Sequence, residues 1–472
     1  MTRVENTVGG SNLAGPTPRR NRPPFFELLR TIRDNMIDIY LEEAFERPLL
    51  EVRLLGRRHF ILNDPEGIKH VLADHAQNYR KASIVRRTFE PGFGKGLLTS
   101  EGEIWRAHRR IMAPAFEYRS VAGYAPLIVD VVDKMLARWN SLPAAAAIDI
   151  AMEMRDATLQ IISQTMFSSD SDGTSGVVKR AVENYNIQIR PNLLDFLGLP
   201  DSIAGWNRRR VARQLFAEFD AVIARLIDER RRTRHCGPKD LLARLVASSN
   251  ETAYAPVAAK DVRDQVITIF MAGHDTTALA LTWTWYLLSK HPEQEATLHA
   301  ELNRVLGGRN PEHADLAKLP YTRMVVEESM RLYPPVHLLL REPLAEDRIC
   351  GQPIPKGSLI LIAPWVLHRH RRLWDHPERF DPERFRPNNT AARSRYSYIP
   401  FGAGPHICIG ATFAMNEAIL VLAVIAQRYR LRLVPGHPVE PQGLLTLRPR
   451  HGLKMTLERR RERVVDTAAS PA

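Results

Sequence analysis

Between Asp264 and Lys290 lies the stretch that most restricts how this chain can fold. Val266 to Ala280 is apolar except where Gly273-His-Asp-Thr-Thr277 interrupts it. At helical periodicity such a stretch is apolar around most of its circumference, and a helix of that kind must be enclosed by other elements. Only a large helical body can supply the enclosure. The interruption carries information of its own. A glycine inside a helix costs about 1 kcal/mol relative to alanine, and threonine hydroxyls compete for the carbonyls one turn back, so the helix is expected to be loosened here. The reading is a polar notch in a buried helix.

The rest of the chain supplies that enclosure. Helical periodicity recurs in segments such as Ile128 to Trp139 and Arg213 to Arg230. Before them, Leu50 to Leu54 and His59 to Leu62 alternate across a Gly-containing turn, as a hairpin does, and Asp64 with Pro65 is suited to start a helix. Short strands are expected again at Leu338 to Leu340, Ser358 to Ile362, Leu444 to Leu447 and Leu453 to Leu457. The fold class is therefore mainly α, an α+β arrangement of a large helical body with small sheets. With 472 residues, 44% of them apolar, and no Gly/Ser linker or repeat inside residues 25–457, that segment reads as one domain. Residues 1–24 and 458–472 are polar or charged enough to be read as disordered tails.

The net charge of +13 is compatible with nucleic acid, an anionic membrane or an acidic protein partner. Its densest runs, Arg208 to Arg213 and Arg230 to Arg234, sit among apolar residues at helical spacing, which is how a solvated helix face reads, and no nucleic-acid motif accompanies them. The N-terminus lacks the apolar core of a signal peptide, and no uncharged apolar run reaches the ~18 residues of a membrane span, so a cytoplasmic protein without a membrane anchor is expected. Three cysteines, at 236, 350 and 408, are too few and scattered for a disulfide framework, which suits a reducing compartment.

One of the three stands apart. In Phe401-Gly-Ala-Gly-Pro-His-Ile-Cys-Ile-Gly410, glycines and a proline precede Cys408, and the apolar stretch Ala411 to Ala426 follows. That is a tight loop feeding a helix, whose dipole and free N–H groups favour a thiolate. Glycines on both sides let a flat macrocycle approach the backbone, and His406 offers a donor. Zinc fits less well, because no Cys-x-x-Cys pair is present. The motif F-x-x-G-x-H-x-C-x-G, with Phe401, Gly402 and Gly410 in place, resembles the haem-binding loop of the cytochromes P-450, and the resemblance extends over about residues 25–457.

The resemblance implies a haem b with Cys408 as the thiolate ligand, O2 as co-substrate, and insertion of one oxygen atom into an apolar organic substrate. Ala272-Gly-His-Asp-Thr-Thr277 is similar to the family's oxygen-activation motif, which makes Asp275 and Thr276 its acid–alcohol proton relay. Glu328 and Arg331 resemble the family's E-x-x-R helix, with Arg384 as third member in preference to Arg379 of a neighbouring copy; the same spacing at Glu27, Glu103 and Glu301 reads as surface pairing or none. Trp105, Arg109 and Arg341 become donors to haem carboxylates. Phe270, Ala272, Gly273, Val336, Leu338, Leu339 and Leu445 become pocket residues. Electrons are expected from a separate ferredoxin or flavodoxin with its reductase, and the protein is expected to be a monomer. Two other classes remain open: a haem-thiolate gas sensor without turnover, and a peroxide-driven oxidation or rearrangement enzyme.

Overall fold

The central helix comes out longer than its apolar stretch, as Ala259–Lys290. It is enclosed by the helices Ile150–Phe167, Pro320–Leu332 and Ala411–Arg428. The structure, a computed structural model, describes residues 13–54, 57–168, 206–233, 240–248 and 259–460, together with residues 176, 177 and 180. The expected loosening at Gly273 does not occur, and the helix runs through it unbroken. Two contacts explain this. A Cβ on Gly273 would come within 2.9 Å of Ile162 Cδ1, so the glycine lets the helix Ile150–Phe167 lie close against its neighbour. The hydroxyls of Thr276 and Thr277 donate to the carbonyls of Ala272 at 2.7 Å and Gly273 at 3.2 Å, adding to the helical ladder without displacing it.

A mixed five-stranded sheet lies beside this helical body, in the order Leu49–Leu54, Arg57–Leu62, Leu359–Ile362, Leu339–Pro343, Tyr79–Lys81. Its first pair is the expected hairpin; the second strand pairs in parallel with the third, and the remaining ladders are antiparallel. Asp64 caps the helix Pro65–Lys69 by accepting from the Gly67 N–H at 2.7 Å. Of the strand expected at Leu444 to Leu447, Leu447 opens the strand Leu447–Pro449, whereas residues 444–446 connect it to Pro441–Gly443 in a small hairpin. Its three leucines satisfied the apolar count, but Leu444 and Leu445 turn the chain.

Both expected tails shorten. Leu13 onward is docked: Ala14 donates its N–H to Tyr286 Oη at 2.9 Å and accepts from the Tyr333 hydroxyl at 2.7 Å. At the other end the strand Lys454–Arg459 pairs with Tyr429–Leu433 beyond the expected limit, and Arg460 N–H donates to Arg428 O at 2.9 Å. Only residues 1–12 and 461–472 of the expected tails fall outside the described residues. One member of the basic runs is also not solvated. Arg230, in the helix Trp206–Arg232, is buried against Asp240 at 2.8 Å and Phe167 O at 3.1 Å, whereas Arg210, Arg213, Arg231 and Arg232 are exposed. The helix Ala411–Arg428 is long and apolar enough to cross a membrane, yet most of it lies inside the core.

Candidate active site

The loop before Cys408 is shaped by three hydrogen-bonded turns and two left-handed glycines. Gly402 and Gly404 have φ of +72° and +70°, and Cys408 N–H donates to Phe401 O at 2.9 Å. Gly404 is the tightest point. A Cβ there would fall 1.7 Å from the carbonyl oxygen of Leu72, so the loop rests directly on the segment His70–Asp74. Gly404→Ala is therefore expected to destabilise the protein by about 1–3 kcal/mol through backbone overlap and to lower its haem content, checked by thermal melting and haem absorbance.

Cys408 opens into a cavity of about 310 Å³ between this loop and the central helix. Burial pushes its thiol up, with the Gly410 N–H and Arg109 working the other way. Sequence reasoning expected the helix terminus to favour the thiolate; here desolvation opposes it. Across the cavity the central helix presents Ala272, Gly273 and Thr276, and Val336 and Leu339 contribute a further wall. Leu97, Leu98 and Ile269 also line it. The loop carrying Leu97 is held by the central helix itself: Lys95 N–H donates to Asp264 Oδ2 at 2.8 Å and Leu97 N–H to Gln265 Oε1 at 2.9 Å.

One end of the cavity is cationic. Arg109 from the helix Gly102–Met112, Arg341, Lys81 and His406 all reach it, and the sheet register sets Lys81 directly opposite Arg341. Burial lowers the pKa of Arg341 and of Arg109, and takes Lys81 down to about 8, with Arg341 adding to that fall. His406 packs at a tilt against Trp105, ring centroids 3.9 Å apart, and is pushed down to about 3 by burial and by Lys81, Arg341 and Arg109, which keeps it neutral. Its Nδ1 is buried with no hydrogen-bond partner among the described residues. Glu101, 3.7 Å from His406 Nε2, is the nearby carboxylate. Three desolvated cations and an unpartnered ring nitrogen around one anion suit a ligand that brings carboxylates.

Several expected pocket residues lie elsewhere. Phe270 is fully buried in the core, stacked on Phe167 at 4.2 Å, because its direction from the helix faces the neighbouring helix and not the cavity. Leu338 and Leu445 are half-buried against the same core and do not line the cavity. Asp275 also turns away from it. Its carboxylate accepts from the Thr446 hydroxyl at 2.9 Å and lies 3.3 Å from Arg155 Nε and 3.6 Å from Arg448 Nη2. Burial pushes that carboxyl up, but the two guanidiniums outweigh it and hold it below the ordinary range.

Behind the site, Glu328 and Arg331 are both fully buried and joined at 2.6 and 2.8 Å. Arg384 Nε stands 3.5 Å from Glu328 Oε1, whereas Arg379 meets Arg331 only through its backbone carbonyl. The other occurrences of the spacing differ among themselves. Glu103 pairs with Arg106 at the surface, but Glu301 is buried and accepts from the N–H groups of Tyr321 and Thr322, starting the helix that carries Glu328.

The description "Cytochrome P450" belongs to the family model that matches residues 16–456. The chain belongs to the cytochrome P450 family. Among its relatives, "Cyclooctatin synthase" of Streptomyces melanosporofaciens is 34% identical over 84% of this chain and 86% of its own length. "Cyclooctat-9-en-7-ol 5-monooxygenase" of the same organism is 33% identical over 82% of this chain and 83% of its own length. "Cytochrome P450 4F2" of Homo sapiens is 34% identical, covering 84% and 80%. The crystal structure of a cytochrome P450DA haem domain superposes with a TM-score of 0.78 at 24% identity, covering 96% of this chain and 99% of that one, and shares its fold. This P450 is thus a haem-using monooxygenase.

Four side chains escaped sequence reasoning, three at the cavity and one behind it. Lys81 reaches the cationic end only through strand pairing, and no local pattern flags it. Leu97 and Leu98 lie in a loop whose position depends on Asp264 and Gln265 far along the chain. Glu417 stands nine residues after Cys408 in an apolar helix. Burial pushes its carboxyl well above the ordinary range, opposed by a hydrogen bond with Thr277 beside Thr276. A lone glutamate in an apolar run was the available signal.

Proposed function

We propose that this P450 inserts one oxygen atom from O2 into an apolar small molecule, with Cys408 holding the iron of a haem b. The observation that carries this reading is the single cavity shared by the Cys408 thiol, the cationic end at Lys81, Arg109 and Arg341, and the apolar wall bearing Thr276. Cys408 would ligate the iron as thiolate; Arg109, Arg341, Lys81, Trp105 and His406 would take the haem carboxylates. When bound, the haem supplies the oxygen chemistry, and the thiolate's electron donation favours O–O cleavage. Leu97, Leu98, Ile269, Val336 and Leu339 exclude water and orient the substrate by shape. Their character selects an apolar compound, and the relative named for acting on cyclooctat-9-en-7-ol, a largely hydrocarbon alcohol, supports that class.

Thr276 keeps the direct part of the proton relay, because its hydroxyl is at the cavity wall: resting on Ala272 O it can accept from the cavity, and it passes a proton by turning away from that carbonyl. Asp275 acts from behind. As an ionised carboxylate it donates no proton itself, and it serves as the anion that orders Thr446, Arg155 and Arg448 on the far side of the helix.

Electrons come from a separate acidic carrier of the ferredoxin or flavodoxin kind. Arg106 and Arg110 are exposed on the helix Gly102–Met112, beside exposed Ile407, and Arg109 donates to Ile407 O at 2.8 Å, so a basic face adjoins the cysteine loop. We also infer a monomeric protein in the cytoplasm; its scattered cysteines support the reducing compartment.

A screen of apolar compounds, followed by the shift of the haem absorption band on binding, identifies the substrate. With that substrate and a ferredoxin system, Thr276→Ala is expected to consume reductant at a similar rate but convert much less of it to product, releasing hydrogen peroxide, while Asp275→Asn slows turnover. Product formed per reductant consumed is the measurement. Unchanged coupling in Thr276→Ala rejects the relay; no substrate-linked consumption at all points to a sensor.

A further inference from the structure

We propose that His70, His75 and Asp347 form a binding site for a zinc-class divalent metal ion, separate from the haem site, that clips the segment His70–Asn78 to the hairpin Asp347–Ile354. One ligand atom of each residue lies within 4.8 Å of the other two. His70 Nε2 and Asp347 Oδ2 are 2.9 Å apart, and the imidazole rings of His70 and His75 stack at 4.1 Å. A tetrahedral ion with bonds of about 2.0–2.1 Å needs ligand atoms ~3.3 Å apart, so small side-chain rotations complete the triangle. Two imidazoles and one carboxylate select Zn2+ and its neighbours over Mg2+ or Ca2+, which take oxygen ligands.

The carboxylate is already supported as a metal ligand's would be. Tyr79 donates its hydroxyl to Asp347 Oδ2 at 2.6 Å, and the Arg348 N–H donates to Oδ1 at 2.7 Å. Such second contacts fix the orientation of a ligating group. The backbone is equally prepared. Leu344 N–H donates to Asn78 O at 2.8 Å and Ala345 N–H to Asn78 Oδ1 at 3.0 Å, which holds the two segments side by side before any ion arrives. His75 is exposed and can swing in; His70 is half-buried and fixed.

A bound ion replaces the His70–Asp347 hydrogen bond, and any proton between them leaves to solvent, as metal binding to histidine requires. Its place in the fold gives it reach. The helical turn His70–Asp74 is the one whose Leu72 carbonyl supports Gly404, so the clip tightens the backing of the cysteine loop without touching the haem pocket.

The test is calorimetric titration of the metal-stripped, haem-loaded full chain with ZnCl2. One equivalent is expected to bind to the wild type, His75→Ala is expected to bind at least tenfold more weakly, and His451→Ala, a surface histidine elsewhere, is expected to bind as the wild type does. Thermal melting with added ZnCl2 should rise for the wild type and His451→Ala but not for His75→Ala, and because His75 is exposed this variant tests the site without removing core contacts. No one-equivalent binding in the wild type, or equal binding and equal thermal gain in His75→Ala, overturns the proposal.

Discussion

Cys408→Ala is expected to give folded protein that has lost the red-shifted absorption band of the reduced carbon monoxide complex and whose turnover falls to background. Among the described residues, Cys408 is the cysteine that opens into the cavity; Cys350 sits at a surface turn of the Asp347–Ile354 hairpin, and Cys236 lies outside the described residues. The backbone of the loop does not need the thiol. Its shape is held by the Cys408 N–H to Phe401 O bond, by the left-handed glycines 402 and 404, and by the contact of Gly404 with Leu72, all of which survive the substitution. Alanine therefore removes the ligand and leaves the cradle. Any haem held by Arg109, Arg341 and Lys81 alone lacks the thiolate signature. Cys350→Ala and Cys236→Ala are expected to keep the band. The measurement is the reduced carbon monoxide difference spectrum of all three variants, and retention of the red-shifted band by Cys408→Ala would reject the assignment.

What could be read in the chain beforehand divides along a physical line. Periodicity and capping are local, and they located the central helix, the hairpin at Leu49–Leu62 and the helix started by Asp64. The cysteine loop was legible because its glycines and proline lie within ten residues of each other. The direction of a side chain from a buried helix is not local. Phe270, Asp275 and Thr276 are neighbours in a helix apolar nearly all round, and only the packing of Ile150–Phe167 on one side and the cysteine loop on the other decides that Thr276 faces the cavity while Phe270 stacks on Phe167. Asp275 shows the same limit, since its partners Arg155 and Arg448 come from positions 120 residues before and 173 after it. Lys81 could not be found at all without the strand register that sets it against Arg341. The tails were misjudged for a related reason: polar composition suggested disorder at Ala14, but two tyrosine hydroxyls contributed by the core helices supply the backbone bonds that order it.

The second large effect is expected in the scaffold. Glu328→Ala or Arg331→Ala should destabilise the protein by about 3–5 kcal/mol, a large share of the margin of a typical domain, and yield little haem-loaded protein. Both side chains are fully buried, so the loss of either leaves a charge with no access to water. The two substitutions differ in what they strand. Arg331 donates to the carbonyls of His368, Pro377 and Arg379 in addition to its two hydrogen bonds with Glu328, so its removal orphans three backbone acceptors and takes from the buried carboxylate its two shortest bonds. Glu328 also accepts from the Asp381 N–H at 2.9 Å and faces Arg384 at 3.5 Å, so its removal leaves two guanidiniums close together. These contacts tie the helix Pro320–Leu332 to residues 368–384, which lead into the segment that ends in the cysteine loop. Haem loss should therefore accompany the fall in stability, although neither residue lines the haem cavity. Arg384→Ala is expected to cost less, because its guanidinium approaches Glu328 at longer range and remains partly accessible. Chemical denaturation of the three variants, with haem content read from the same samples, orders them; wild-type stability in both Glu328→Ala and Arg331→Ala would show that the buried pair does not hold the scaffold together.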